Sequence, residues 1–307
     1  MKVSVLLPYY NEEEFILNTL NSLHNQSKKI DEIVFIDSGS TDNTSNIINK
    51  WISENNTDNF KNIFSGKMSP SSSINLGIES TTSDYIGYID CGLNIPIEWH
   101  ENISKYISGN IPEIISCSIY TEGTSLLDKS LIAQTYGFRK KSICLTGSLI
   151  SRKVFDKIGF FLPNVRANYD VDFINKIKKH NIKRSITYDY PLTYYDINYS
   201  TDIFLAFKKV FSYSISGLYA KGDIKPFIYF ISLTTFFYIN IEILILIYFF
   251  LRTLVIPILK SGYKNLMSDL NIFLFLPIAG LIIDSARILA YSYAILINNK
   301  NKIINDR

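Results

Sequence analysis

Apolar residues in the first two hundred positions come in short unbroken runs, separated by stretches with helical spacing. Val3 to Leu7, Glu32 to Ile36, Tyr85 to Ile89 and Ile114 to Ile119 have the length and β-branched content of strands. Runs that stay apolar at nearly every position suit strands buried on both faces, as in a parallel sheet covered by helices. Between the first two runs, Ile16, Leu20 and Leu23 repeat on one helical face, and Asn11 with Glu14 has the form of an N-terminal capping box. A second amphipathic helix, starting near Thr41 or Asp42, carries Ile47, Ile48, Trp51 and Ile52. The alternation predicts an α/β fold over residues 1–200, a Rossmann-like, mostly parallel sheet with flanking helices. Such sheets receive ligands at the C-terminal edge of their strands. Here that edge carries Pro8-Tyr-Tyr-Asn-Glu12 and the turn from Asp37 to Thr44.

Beyond residue 200 the pattern changes. Ile203, Phe207, Val210, Phe211, Ile215 and Leu218 recur at helical spacing, with Lys208 and Lys209 on another side, so residues 201–225 read as an amphipathic interfacial helix. A helix packed on the preceding domain has the same pattern, but Lys221 and Lys225 just ahead of an apolar run favour a membrane surface. Pro226 to Leu251 contains no Lys or Arg and is long enough to cross a hydrocarbon core of about 30 Å, although Asn240 and Glu242 interrupt it. Leu270 to Ile297 is a second such segment, in which Asp284 and Arg287 lie three apart and are expected to neutralise each other. Residues 226–297 therefore read as a membrane region of two apolar helices, arranged as a hairpin or, alternatively, as one crossing followed by an interfacial helix, and 298–307 as a polar tail. Arg252, Lys260 and Lys264 between the helices balance Lys300, Lys302 and Arg307 in the tail, so positive charge does not set the orientation.

Composition narrows the classes further. Of 307 residues 47% are hydrophobic, and 31 Lys and Arg face 28 Asp and Glu with no basic tract, which argues against nucleic acid as a partner. Cys91, Cys117 and Cys144 are far apart without Cys-x-x-Cys spacing, so neither a disulfide framework nor a thiolate metal site is expected, and a reducing, cytosolic setting fits. The first apolar run is too brief for a secretory signal. His24, His100 and His180 fall on surface-like positions and receive no ligand role. Neither a Gly-x-Gly-x-x-Gly loop nor a Walker loop occurs, against dinucleotide oxidoreduction and P-loop hydrolysis.

Several motifs then appear in a telling order. They are Pro8-Tyr-Tyr-Asn-Glu12; Asp37-Ser-Gly-Ser-Thr-Asp42; Ser72-Ser-Ile-Asn-Leu-Gly77 leading to Tyr85 to Asp90; Pro96 with Trp99; Thr146-Gly-Ser148; and Asn168-Tyr-Asp-Val-Asp-Phe173. In this order they resemble the GT-A catalytic domain of glycosyltransferase family 2, over Lys2 to about Tyr190. The resemblance implies that Pro8, Tyr10 and Glu12 line a nucleotide pocket, and that Asp37 contacts the nucleoside with Ser38 beside it, where many members place a second Asp. It also assigns Asn75 to the donor site. Asp90 matches the first acid of the family's Asp-x-Asp motif and is the implied ligand of a divalent cation, Mg2+ or Mn2+, while Gly92 replaces the second acid. Asp170 matches the catalytic base, with Tyr169 in place of the preceding Glu. A carboxylate there takes the proton of the attacking hydroxyl. Read from local structure alone, Asp170 would cap the helix running to Lys179, Thr41 and Asp42 would cap theirs, and Trp99 would pack.

The resemblance further implies an inverting transferase that moves a sugar from a nucleoside-diphosphate donor to a glycan or undecaprenyl-linked acceptor in cell-surface polysaccharide synthesis. The absence of Gln-x-x-Arg-Trp, and only two spans, suit a non-processive enzyme. The expected setting is the cytosolic face of the inner (plasma) membrane, with lipid as a partner. Ser38, Gly92 and Tyr169, three non-acidic positions, motivate the alternative of a non-catalytic membrane-bound scaffold that keeps the sugar-nucleotide fold. A lipid-carrier translocator is disfavoured because two spans offer little polar pathway.

Overall fold

The computed structural model describes residues 1–107, 112–140, 144–195, 202–215, 228 and 240–297. These divide into two compact units, Met1–Ile119 with Lys141–Tyr194, and Tyr120–Lys140 with Tyr195–Arg307. The elements run β1 (Val3–Tyr9), α1 (Ile16–His24), β2 (Glu32–Asp37), α2 (Thr44–Asn55), β3 (Phe60–Phe64), α3 (Pro70–Glu79), β4 (Tyr85–Tyr88), β5 (Leu93–Asn94), α4 (Trp99–Lys105) and β6 (Ile114–Glu122). There follow α5 (Leu126–Gln134), β7 (Arg139–Lys140), β8 (Leu149–Ser151), α6 (Arg152–Ile158), α7 (Tyr169–Lys179), β9 (Arg184–Tyr195) and α8 (Ile203–Ile215).

The strands form one sheet in the order β3-β2-β1-β4-β8-β6-β9-β5, with β7 beside β6. Its first half, β3 to β4, is parallel as the alternation predicts. Beyond β4 the short strand β8 inserts antiparallel to both β4 and β6, and β5 pairs antiparallel with β9. A three-residue strand carries too little periodicity to announce this reversal.

The apolar runs are buried on both faces, and alternate residues serve different cores. Val3, Val5, Leu7 and Tyr9 of β1 pack with Ile33 and Phe35 of β2 against α1, Trp51 and Trp99. Leu6 joins Val34 and Ile36 on the other face, against Ile74 and Ile78 of α3, Phe155 of α6, and Phe173 and Ile177 of α7. Gly77 permits this close approach, because a Cβ there would come within 3.0 Å of Leu6 and Ile36 side chains. Pro8 sits in a central strand without breaking it. The carbonyl of Leu6 accepts from Ile89 N, so alternate residues of β1 face β4, which has ended by the level of Pro8. The missing N–H of Pro8 therefore costs no ladder bond.

Three local expectations change. The Asn11–Glu14 capping box does not form: α1 starts later, at Ile16, and Asn11, with φ +56°, bonds across to the next loop. The cap of α7 is Asn168, with φ +65°, and Asp170 lies inside the first turn rather than at its edge. His100 is fully buried, its Nδ1 2.8 Å from Lys28 O, and burial lowers its pKa. Trp99 is a core residue at 1% exposure.

In the second unit, α8 lays Ala206, Val210, Phe207 and Phe211 against Ala279, Ile282, Ile283 and Ala286, while Ile203, Phe204 and Leu205 are exposed. The expected continuation of α8 to Tyr219, the first part of the apolar run from Pro226 apart from Ile228, and the tail 298–307 lie outside the described residues. Asn240 and Glu242 do not interrupt the first apolar helix but start it: Asn240 Oδ1 accepts from Glu242 N at 2.8 Å. The helix runs as α9 (Ile241–Phe250), a π-turn over Leu251–Val255 and α10 (Ile256–Ser261). After α11 (Tyr263–Met267) comes α12 (Ile272–Ile297). Ile241–Ser261 and Ile272–Leu296 are each long and apolar enough to cross a membrane, by length and composition.

Asp284, expected to pair with Arg287, meets a partner from another helix. Arg252 from the π-turn forks onto both oxygens of Asp284, with Nε 2.8 Å from Oδ2, and donates to Gln134 Oε1 at 3.0 Å. Tyr248 also donates to Asp284 Oδ2, at 3.0 Å. The Arg252 stem lies against Gly280, where a Cβ would come within 2.9 Å of it. Arg252 is therefore a buried residue of the helix rather than part of a polar connection.

Candidate active site

The two motif loops at the C-terminal ends of β1 and β2 are stitched into one surface. Asn11 Oδ1 accepts from Thr41 N at 2.8 Å, Thr44 Oγ1 accepts from Glu12 N at 2.8 Å, and Glu13 Oε2 accepts from Asn43 N at 3.0 Å. Asp42 Oδ1 accepts from Thr44 N at 3.1 Å and from its hydroxyl at 2.7 Å, but Asp42 stands one residue outside the cap expected of it: the N-cap of α2 is Asn43, which makes no side-chain capping bond. Asp37 is buried at the end of β2, where its Oδ1 accepts from Gly39 N at 3.1 Å and Ser40 N at 2.7 Å. Ser38 is buried beside it, its hydroxyl 2.8 Å from that of Ser73 on α3. Tyr10 stays 38% exposed on the same rim.

Asp90, just past β4, is gripped by three hydroxyls. Tyr88 donates to Oδ1, while Tyr194 donates to Oδ2 together with Thr146, the latter at 2.7 Å. Burial, and next the Asp90 charge, push both phenols well above their usual pKa, so they stay protonated and act as donors. Thr146 reaches Asp90 because Gly147 takes φ +74° and sends its N–H 2.7 Å to Tyr88 O. A Cβ at Gly147 would meet Leu192 and Cys117 within 2.6 Å. Glu12 feels this centre: burial first, then Asp90 and Asp42, raise its pKa to about 7.

Asp170 is carried in by a second set of contacts. Asn75 Nδ2 donates to Phe161 O at 3.0 Å, and its Oδ1 accepts from Phe161 N at 3.1 Å. Ser71 makes the same two-way clamp on Val165, at 2.9 and 3.1 Å. Through these bonds α3 fixes the segment leading into α7. Tyr169 completes the link, its hydroxyl 3.3 Å from that of Tyr88, so the turn bearing Asp170 abuts the Asp90 cluster. Asn75 is thus engaged with the chain leading to Asp170, whereas Pro8, Tyr10, Glu12, Asp37, Ser38 and Asp90 gather at the strand ends. The sequence reading gave no role to Tyr88, Thr146 or Tyr194. The first two stood inside quoted motifs. Tyr194 is 104 residues from Asp90 and is brought there by the Leu93–Tyr194 pairing of β5 with β9.

For the divalent cation implied by the resemblance, these residues are a poor fit. Gly92 contributes no side chain, both Asp90 oxygens already accept hydroxyl protons, and among the described residues no group of three or more His, Cys, Asp or Glu comes together.

A sheet parallel through β3 to β4, flanked by helices and carrying its motif loops at the strand ends, has the GT-A type of fold. The profile of Glycosyl transferase family 2 matches residues 4–163, and the chain belongs to that family. It is 27% identical over 233 residues to the putative glycosyltransferase EpsH of Bacillus subtilis, covering 70% of this chain and 66% of that protein. It is 31% identical over 90 residues to an uncharacterized glycosyltransferase of Nostoc sp., covering 29% and 28%. The chain thus spans less than two thirds of the length of either relative. Among solved structures, the mannosyltransferase PcManGT of Pyrobaculum calidifontis, in complex with GDP-Man and Mn2+, superposes with TM-score 0.56 at 16% identity over 92% of this chain and 87% of that one. S. aureus TarS 1–349, in complex with UDP-GlcNAc, does so with TM-score 0.51 at 19% identity over 72% and 68%. At these identities the likeness is one of fold.

Proposed function

We propose that this chain is an inverting, non-processive glycosyltransferase, moving one sugar from a nucleoside-diphosphate donor to a glycan or polyprenyl-linked acceptor in the synthesis of cell-surface polysaccharide. The observation that carries the reading is the Tyr88–Tyr169 contact, which ties the Asp90 cluster at the strand ends to the helix turn bearing Asp170. The nucleoside lies along the stitched loops, with Tyr10 offering a ring face and Asp37 a carboxylate to the ribose. Asp90, held in one rotamer by Tyr88, Tyr194 and Thr146, orients the donor. Asp170 takes the acceptor proton as its oxygen attacks the anomeric carbon from the face opposite the leaving diphosphate, which inverts that centre. The two apolar helices anchor the chain in the plasma membrane with the catalytic unit in the cytosol, beside lipid. The test is product analysis by NMR after incubation with UDP-, GDP- and dTDP-sugars and a polyprenyl-diphosphate glycan acceptor. One added sugar of opposite anomeric configuration is expected; retention of configuration or a ladder of products contradicts the reading.

A further inference from the structure

A pocket of about 670 Å3 opens on the flank of the catalytic unit, lined by Asn102, Lys105, Tyr106, Asp189 and Tyr190. None of these belongs to the donor site or the Asp90 cluster. Along β9, Tyr190 precedes Tyr194 by four residues, about 13 Å of extended chain at ~3.3 Å per residue. The pocket therefore stands a short way from the reacting centre on the same strand.

Its backbone is held against preference. Tyr190 has φ +52°, and it directly precedes Pro191, a position that favours extended conformations. Buried Asn102 maintains the kink from α4: its Nδ2 donates to Thr187 Oγ1 at 2.9 Å and to Asp189 O at 3.1 Å. The kink leaves Tyr190 43% exposed and Tyr106 across the pocket 37% exposed, while Leu192 two residues on is buried in the core. A glycine at 190 would adopt this conformation freely. The kinked strand thus presents a solvent-facing ring at the pocket.

The chemistry offered is specific. Two tyrosine rings give flat apolar faces, while the Asp189 carboxylate, the Lys105 ammonium and the tyrosine hydroxyls supply acceptors and donors around them. A pyranose has the matching form, with C–H groups on its faces and hydroxyls at its rim, and the volume lies within the range of small-ligand sites. We infer that this pocket is a second carbohydrate site, which binds a pyranose residue of the acceptor glycan distant from the hydroxyl that reacts. The inference deepens the acceptor half of the proposed function and rests on it. Holding a remote sugar secures the acceptor while Asp170 works on its end.

The test uses the full chain in a non-glycosidic detergent, titrated with maltotetraose, cellotetraose and chitotetraose by saturation-transfer NMR. At least one is expected to bind. Tyr190→Gly and Tyr106→Ala should each weaken it at least about tenfold, and Tyr190→Phe should retain it. Tyr190→Gly should leave the melting midpoint no lower than that of the wild type, and its rise with UDP- or GDP-sugars unchanged. Failure of the wild type to bind all three, or equal binding by the wild type and Tyr190→Gly, overturns the site. Loss of nucleotide-sugar binding with oligosaccharide binding intact would instead count against the transfer reading and leave this pocket standing.

Discussion

Replacing Arg252 by Met leaves the carboxylate of Asp284 inside the second unit without its guanidinium. In the structure the Arg252 and Asp284 side chains are 7% and 14% exposed, and the fork between them is supplemented by Gln134 and Tyr248. Two charges so placed have each lost most of their hydration, which only their mutual geometry offsets. Removing one partner should cost about 3–5 kcal/mol, and Asp284→Leu should cost a similar amount by stranding the guanidinium. Arg252→Met with Asp284→Leu removes both desolvation penalties and should fall within about 1 kcal/mol of the wild type. The coupling across the cycle then exceeds ~2 kcal/mol, well above the few tenths expected of independent sites. Thermal melts in detergent give the readout, with each single change lowering the midpoint by roughly 6–20 °C at ~2–4 °C per kcal/mol. Additive losses in the double variant, or single losses below about 1 kcal/mol, would refute the assignment of this pair as buried and mutually dependent.

Glu12 gives a pH dependence of unusual sign for a carboxylate. Its folded pKa of about 7 lies above the 4.5 of the exposed group, so the folded chain keeps a proton that the unfolded chain has released. That contribution to stability is present at pH 4 and is lost as pH rises through this window. Glu12→Gln should flatten the fall between pH 5 and 7 in urea titrations and be more stable at pH 8 by ~1–2 kcal/mol, after allowance for partial solvent access; a wild-type stability that rises over that interval contradicts the environment described. With Gly92 in the motif and Asp90 engaged by hydroxyls, thermal stabilisation by UDP- or GDP-sugars should survive EDTA undiminished. A midpoint shift that vanishes with chelator and returns with Mn2+ would show that Asp90 exchanges its hydroxyl partners for a cation.

The sheet was readable because β1 and β2 are apolar at nearly every position, and a strand of that kind has to be covered on both sides. Asp37 and Asp90 came instead from the order of the family-like motifs, and they stand at the end of β2 and just past β4. What the chain pattern did not reveal depends on pairing between distant segments. Tyr194 reaches Asp90 only through antiparallel β5 and β9, and Arg252 finds Asp284 only once two apolar helices and α5 come together. A local rule pointed to Arg287 because it sits three residues from Asp284, and nothing in that spacing announces a forked partner from another helix. His100 misled in the same way: a polar side chain on a helix next to Trp99 looked external, yet Lys28 O receives its ring inside the core. Asn75, expected at the donor site from its motif, also makes paired bonds to Phe161 that fix the segment before α7, a contact no local pattern announces.

The central claim is that Asp170 removes the acceptor proton while the strand-end loops hold the donor. Transfer rates and donor affinity should be measured side by side for the wild type and Asp170→Asn, with binding by calorimetry and turnover under saturating donor. The account predicts unchanged donor affinity with turnover lower by about 10²–10⁴-fold. Turnover within a few-fold of the wild type would contradict it.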